Sequence, residues 1–160
     1  MIMEAIGMKQ NKVLLTGFKK SSSKDLLNKI SAYYDKFLFS NNYTTIIKEM
    51  SGLLDRKKYD YVIMFGQKPL TKKLSIELIG KQKDKTIETT FCVEKLTKVL
   101  EENQIDYRLS ENPGTSYCNF VYYNVLKRLE ESDTKAIFIH IPYKNNFVQM
   151  EDLTKMFNQE

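Results

Sequence analysis

Short apolar runs alternate with stretches of helical periodicity along the chain. Val13-Leu14-Leu15-Thr16-Gly17 is a compact apolar run closed by glycine and predicts a buried strand. Ser21-Ser22-Ser23 then supplies caps for a helix carrying Leu26, Leu27, Ile30 and Tyr34. Lys36–Phe39 predicts a second strand. After Asn41-Asn42, Ile46, Ile47, Met50, Leu53 and Leu54 fall at helical spacing. Tyr61–Phe65 predicts a third strand, stopped by Gly66. A lysine-rich segment follows, with one strand over Leu74–Ile79 inside it. A helix is expected from Thr90 to Asn103, a brief strand at Tyr107–Leu109, and a helix from Cys118 to Glu131. Ala136–Ile141 reads as the last strand, closed by Pro142, and Met150–Phe157 as a final short helix.

Strands that are apolar on both faces and alternate with helices predict an α/β fold. The expectation is a single three-layer α/β/α domain over 12–160, with a mostly parallel, mixed twisted sheet, preceded by a short extension at 1–11. In such sheets, sites form beyond the carboxyl ends of the strands. Phe18, Gln67 and His140 fall at such ends, and Cys118 opens a helix.

Composition narrows the function. The net charge of +5 comes from lysines scattered along the chain, with no nucleic-acid-binding motif. Two cysteines are no disulfide framework and point to a reducing, cytoplasmic setting. No stretch approaches the ~18 apolar residues of a membrane span. One histidine and the distant Cys92 and Cys118 give no metal-ligand spacing, and no phosphate-binding loop or dinucleotide fingerprint occurs. The expectation is therefore no metal, no cofactor, no nucleic acid and no membrane.

Three residues carry candidate chemistry. Cys118 lies in the first turn of its helix, with Thr115 or Ser116 as cap, where free N–H groups and the helix dipole favour a thiolate. A reactive thiol there is expected to titrate below its ordinary ~8.5. His140 is the chain's single histidine, placed near a strand's carboxyl end as a general base would be. Glu77 sits between Ile76 and Leu78. It either alternates out to solvent or faces inward to orient His140. Cys92, between Phe91 and Val93, reads as a structural helix residue.

These stretches resemble the pyroglutamyl peptidase I family of cysteine peptidases. Residues 109–119, LSENPGTSYCN, are similar without a gap to the family's Ser-x-x-Ala-Gly-x-aromatic-aliphatic-Cys-Asn signature. Gly66-Gln67-Lys68-Pro69 with Leu74–Glu77 resembles the segment of its catalytic glutamate. Phe138–Pro142 resembles the histidine segment, and Val13–Phe18 the first strand and turn. The resemblance implies Cys118 as nucleophile, His140 as base and then acid, and Glu77 as the residue orienting the imidazole. Phe18, Gln67 and Tyr117 would contact the substrate, a small peptide blocked by pyroglutamate. It implies no metal and leaves a homo-oligomer open. Lys19-Lys20-Ser21-Ser22 stands where the family has Glu-Pro-Phe-Gly, Pro113 replaces an alanine, and Leu78 a basic residue. The loop after Glu77 is short and lacks the family's oxyanion arginine, for which Lys83 or Lys85 is a partial substitute. Two other readings therefore stay open: a thiol hydrolase of another small acyl substrate, and a non-catalytic binding protein.

Overall fold

The computed structural model describes residues 12–159; the expected extension at 1–11 lies outside them. Eight strands and five helices follow one another: β1 (Val13–Phe18), α1 (Ser22–Lys29), β2 (Asp35–Phe39), α2 (Tyr43–Arg56), β3 (Tyr61–Lys68), β4 (Leu74–Glu77), β5 (Ile79–Gln82), β6 (Lys85–Glu88), α3 (Val93–Glu102), β7 (Tyr107–Ser110), α4 (Tyr117–Arg128), β8 (Lys135–Pro142) and α5 (Met150–Asn158). Six strands form one sheet in the order β2-β1-β3-β8-β4-β7, and β5 with β6 forms a separate hairpin. All neighbours in the main sheet are parallel except β4 and β8. Among the described residues no helix is long and apolar enough to cross a membrane.

Period-two alternation sorts the strand side chains into two cores. Leu15, Ile63, Phe65, Ile137 and Ile139 pack with Leu26, Leu96 and Leu153, so α1, α3 and α5 cover that face. Leu14, Val62, Met64, Ala136 and Phe138 pack with Ile46, Val121 and Tyr122, so α2 and α4 cover the other. Gly66 and His140 continue the second set by two residues. In β4, Leu74 and Ile76 join the first core, which turns Ser75 and Glu77 to the α4 face. Glu77 is thus directed inward, and the outward alternative is excluded.

Several element bounds differ from expectation, each for a local reason. β3 does not stop at Gly66. It runs on to Lys68, because Gly66 stays in ladder register with His140. The single strand expected over Leu74–Ile79 breaks at Leu78, whose N–H donates to Ser110 O and whose carbonyl accepts from Thr89; the lysine-rich stretch beyond it pairs with itself as the β5–β6 hairpin. α1 ends before Tyr34, which packs separately and donates to Phe157 O. Cys92 is not a core residue of a helix. It is exposed and occupies the N-cap of α3, with no side-chain cap bond.

Serine is a far better N-cap acceptor than cysteine. Cys92→Ser should therefore stabilise the protein by about 0.5–1 kcal/mol, read as a higher urea midpoint with an unchanged slope. No gain would mean that the α3 cap geometry rejects a hydroxyl.

Candidate active site

The chain crosses from one side of β1 to the other between β2 and β3. That switch point lies at the carboxyl ends of β1 and β3, where doubly wound sheets open a crevice. A cavity of about 220 Å³ occupies it, lined among others by Phe18, Gln67, Tyr117, Cys118 and Tyr143. All three expected substrate contacts therefore line the cavity that holds the thiol. Phe18 is fixed by Ser23, whose hydroxyl accepts its N–H at 2.9 Å. Gln67 accepts the Ser22 N–H at 2.9 Å through Oε1, so what it offers a ligand is its NH2 group. Lys19–Ser22 thus build a serine-capped start to α1.

Cys118 is the second residue of α4. The first helical bond runs from Phe120 N to Ser116 O, so the N–H groups of residues 117–119 have no acceptor within the helix. Ser116 holds the cap position but makes no cap bond. The thiol lies directly over Gly66, where a Cβ would come 2.5 Å from Sγ and 2.8 Å from the Phe138 ring. No other residue type leaves room for sulfur there.

Gly66 is the ladder partner of His140, so the glycine beneath the α4 thiol sits beside the imidazole's strand position. His140 is 3% exposed and its ring lies 4.8 Å from that of Phe138. Its Nδ1 bonds Glu77 Oε1 at 2.9 Å, and Glu77 is fully buried. Antiparallel pairing of β4 with β8 sets Ser75 opposite His140, which brings the carboxylate two residues on back to the ring. The Tyr122 hydroxyl donates to Glu77 O at 2.7 Å and pins β4 to α4.

The thiol departs from expectation in one respect. Burial pushes its pKa up to about 12, and the Glu77 charge adds to the rise; Ser116, a backbone N–H and Lys68 pull the other way. The resting group is a thiol, so a base must take its proton as it attacks. The oxyanion expectation also changes. Lys83 and Lys85 belong to the hairpin, where the Asn119 side chain holds the Lys81 backbone by bonds of 2.8 and 2.7 Å. Lys83 lines a second cleft of about 370 Å³ there, and neither lysine lines the thiol cavity. Lys20 does, and Lys68 approaches Glu77 from below. In the sequence both stand inside longer stretches, Lys20 in Lys19–Ser22 and Lys68 in Gly66–Pro69, and neither was given a role. Among the described residues no cluster of His, Cys, Asp and Glu could hold a metal ion.

The family model described as pyroglutamyl peptidase matches residues 79–155, which include Cys118 and His140. A pyrrolidone-carboxylate peptidase of Thermococcus litoralis is 29% identical, over 82% of this chain and 76% of its own length. The chain is thus similar to the pyroglutamyl peptidase family in its second half and to individual pyrrolidone-carboxylate peptidases over most of its length. A second relative, a pyrrolidone-carboxylate peptidase of Thermosipho melanesiensis, is 27% identical over 62% of this chain and 61% of its own length. The fold agrees. The structure of the Thermococcus litoralis pyrrolidone carboxyl peptidase superposes with a TM-score of 0.80 at 21% identity, covering 93% of this chain and 90% of that one. That of Bacillus amyloliquefaciens pyroglutamyl peptidase I gives 0.81 at 16%, covering 93% and 94%. Glu77 lies two residues before the span matched by the family model.

Proposed function

We propose that this chain is a cysteine peptidase of the pyroglutamyl peptidase family that removes an N-terminal pyroglutamate from peptides. The observation that carries the reading is the convergence of a helix-opening thiol, a buried histidine and a buried carboxylate around the bare backbone of Gly66. With Glu77 ionised, His140 Nδ1 carries the proton and Nε2 presents its lone pair. Nε2 takes the thiol proton as Sγ attacks the carbonyl after the lactam ring. The Cys118 N–H and the positive end of α4 receive the oxyanion, in place of an arginine. Collapse breaks the C–N bond, and the imidazolium gives its proton to the leaving amine. Water, deprotonated by the same Nε2, then hydrolyses the thioester and frees the thiol.

The cavity suits a five-membered lactam. Phe18, Tyr117 and Tyr143 wall it, and the Gln67 amide can donate to the ring carbonyl. With its ring nitrogen acylated, a lactam carries no ammonium group, whereas proline would bring a charge to an apolar wall.

The purified, reduced protein should release coumarin from pyroglutamyl-aminomethylcoumarin and leave the prolyl amide at least about 100-fold behind. Equal rates would refute lactam selection. No turnover of either would refute the peptidase reading and return the thiol to another acyl substrate.

A further inference from the structure

Glu77 presents a problem that the thiol–imidazole–carboxylate arrangement does not solve. It is fully buried, and its Oε2 has no hydrogen-bond partner among the described residues. A buried carboxylate keeps its charge only beside a compensating cation. His140 cannot be that cation while it acts as a base, since it must then be neutral. The remaining candidate is Lys68, two residues beyond Gly66 on β3. Its Nζ lies 3.5 Å from Glu77 Oε1 and donates to Asn112 O at 3.2 Å. Its side chain is 22% exposed, so its charge is only partly screened. Asn112 belongs to the segment between β7 and α4, so one ammonium group joins the carboxylate strand to the approach of Cys118.

We propose that Lys68 is a positioning residue of the active site, whose charge holds Glu77 ionised while His140 is neutral and so keeps Nε2 available as a base. This rests on the peptidase reading for its purpose, though not for its measurement. Glu77 on β4 is the charged group bonded to His140; Lys68 on β3 reaches that carboxylate, and the Cys118 thiol on α4 lies over Gly66, the ladder partner of His140. Arg108 on β7 stands one step away, donating to the Ser75 hydroxyl at 2.9 Å. Without Lys68, the cation nearest Glu77 would be a protonated His140. The imidazole would then hold its proton to higher pH, and the base would be lost at neutral pH.

The single histidine makes this directly measurable. Lys68→Gln keeps a donor for Asn112 and removes the charge; Lys68→Arg keeps the charge. In Lys68→Gln, the pH at which the lone imidazole changes its NMR signal should move alkaline by about one unit or more. The acid limb of kcat/KM should move with it, lowering activity at pH 6.5 about tenfold. Lys68→Arg should leave both in place, and Arg108→Gln should move them far less. Lys68→Met repeats the charge loss should Lys68→Gln fold poorly. An imidazole titration that ignores the Lys68 charge overturns the proposal, as does a uniform rate loss with no shift, which would mark Lys68 as a tether only. Loss of turnover in the wild type, with the imidazole shift intact, would remove the peptidase reading and leave the Lys68–Glu77–His140 coupling standing.

Discussion

Cys118→Ala should fold normally and lose turnover by a factor on the order of 10⁴ or more. In the proposed mechanism, removing Sγ removes the atom that forms the covalent bond, and water attack assisted by His140 alone does not replace it. The fold should survive because Cys118 contributes little apolar volume to the α2–α4 core, and Tyr122, Val121 and Phe138 remain around it. Residual activity above about a hundredth of wild type would remove Cys118 from the nucleophile's role. The same variant carries a second signature. The folded thiol keeps its proton up to about pH 12, whereas an unfolded cysteine loses it near 8.5. The wild type therefore enjoys this contribution in full below about pH 8.5 and loses it as pH rises towards 12. Urea unfolding of Cys118→Ala should show a shallower decline over that interval. Buried tyrosines contribute to the decline in both proteins: burial pushes Tyr34 up to about 12 and carries Tyr122 higher still.

Gly66→Ala should damage both stability and rate. The added Cβ would meet the Cys118 sulfur at 2.5 Å and the Phe138 ring at 2.8 Å. Neither neighbour can yield easily, since the sulfur is fixed to the first turn of α4 and Phe138 is buried against Tyr122 at a centroid distance of 5.5 Å. Overpacking of this kind costs about 1–3 kcal/mol, visible as a lowered urea midpoint. Whatever stability survives, the thiol must move outward from His140. A misplacement near 1 Å costs about 10²-fold in rate. A fully active Gly66→Ala would mean that α4 slides freely over the sheet and that the thiol position is not set by β3.

The candidate residues were more legible in the sequence than the element boundaries. Cys118, His140 and Glu77 were legible because each breaks a local pattern: a thiol after a helix breaker, a lone histidine in an apolar strand, a carboxylate between aliphatics. Alternation alone could not settle which way Glu77 points. That depended on β4 lying antiparallel to β8, a long-range pairing that no local window contains. Gly66 read as a strand end because glycine usually punctuates strands. Its actual role, clearance for sulfur from a helix about fifty residues later in the chain, is a tertiary demand. The β5–β6 hairpin was hidden because Lys81–Glu88 is polar on both faces and shows no alternation. It stands because Asn119 and the body of α4 support it; two-stranded ribbons are marginal alone. The thiol's raised pKa was not legible either. Helix position argued one way, and burial of the thiol, visible only in three dimensions, argued the other.

The tie between the two ends of the domain bears on biosynthesis. Ser22 Oγ donates to Pro142 O at 2.9 Å across 120 residues, and β8 lies in mid-sheet between β3 and β4. A chain emerging from the ribosome can pair β1, β2 and β3 early, but the slot beside β3 stays empty until residues 135–142 arrive. β4, which carries the carboxylate, has its antiparallel neighbour only then. The histidine therefore comes with the strand that completes the sheet, and the thiol, though already synthesised, has no partner before that moment. Assembly of the candidate site and completion of the sheet are one event, so a chain translated only as far as α4 lacks the histidine and the strand that carries it.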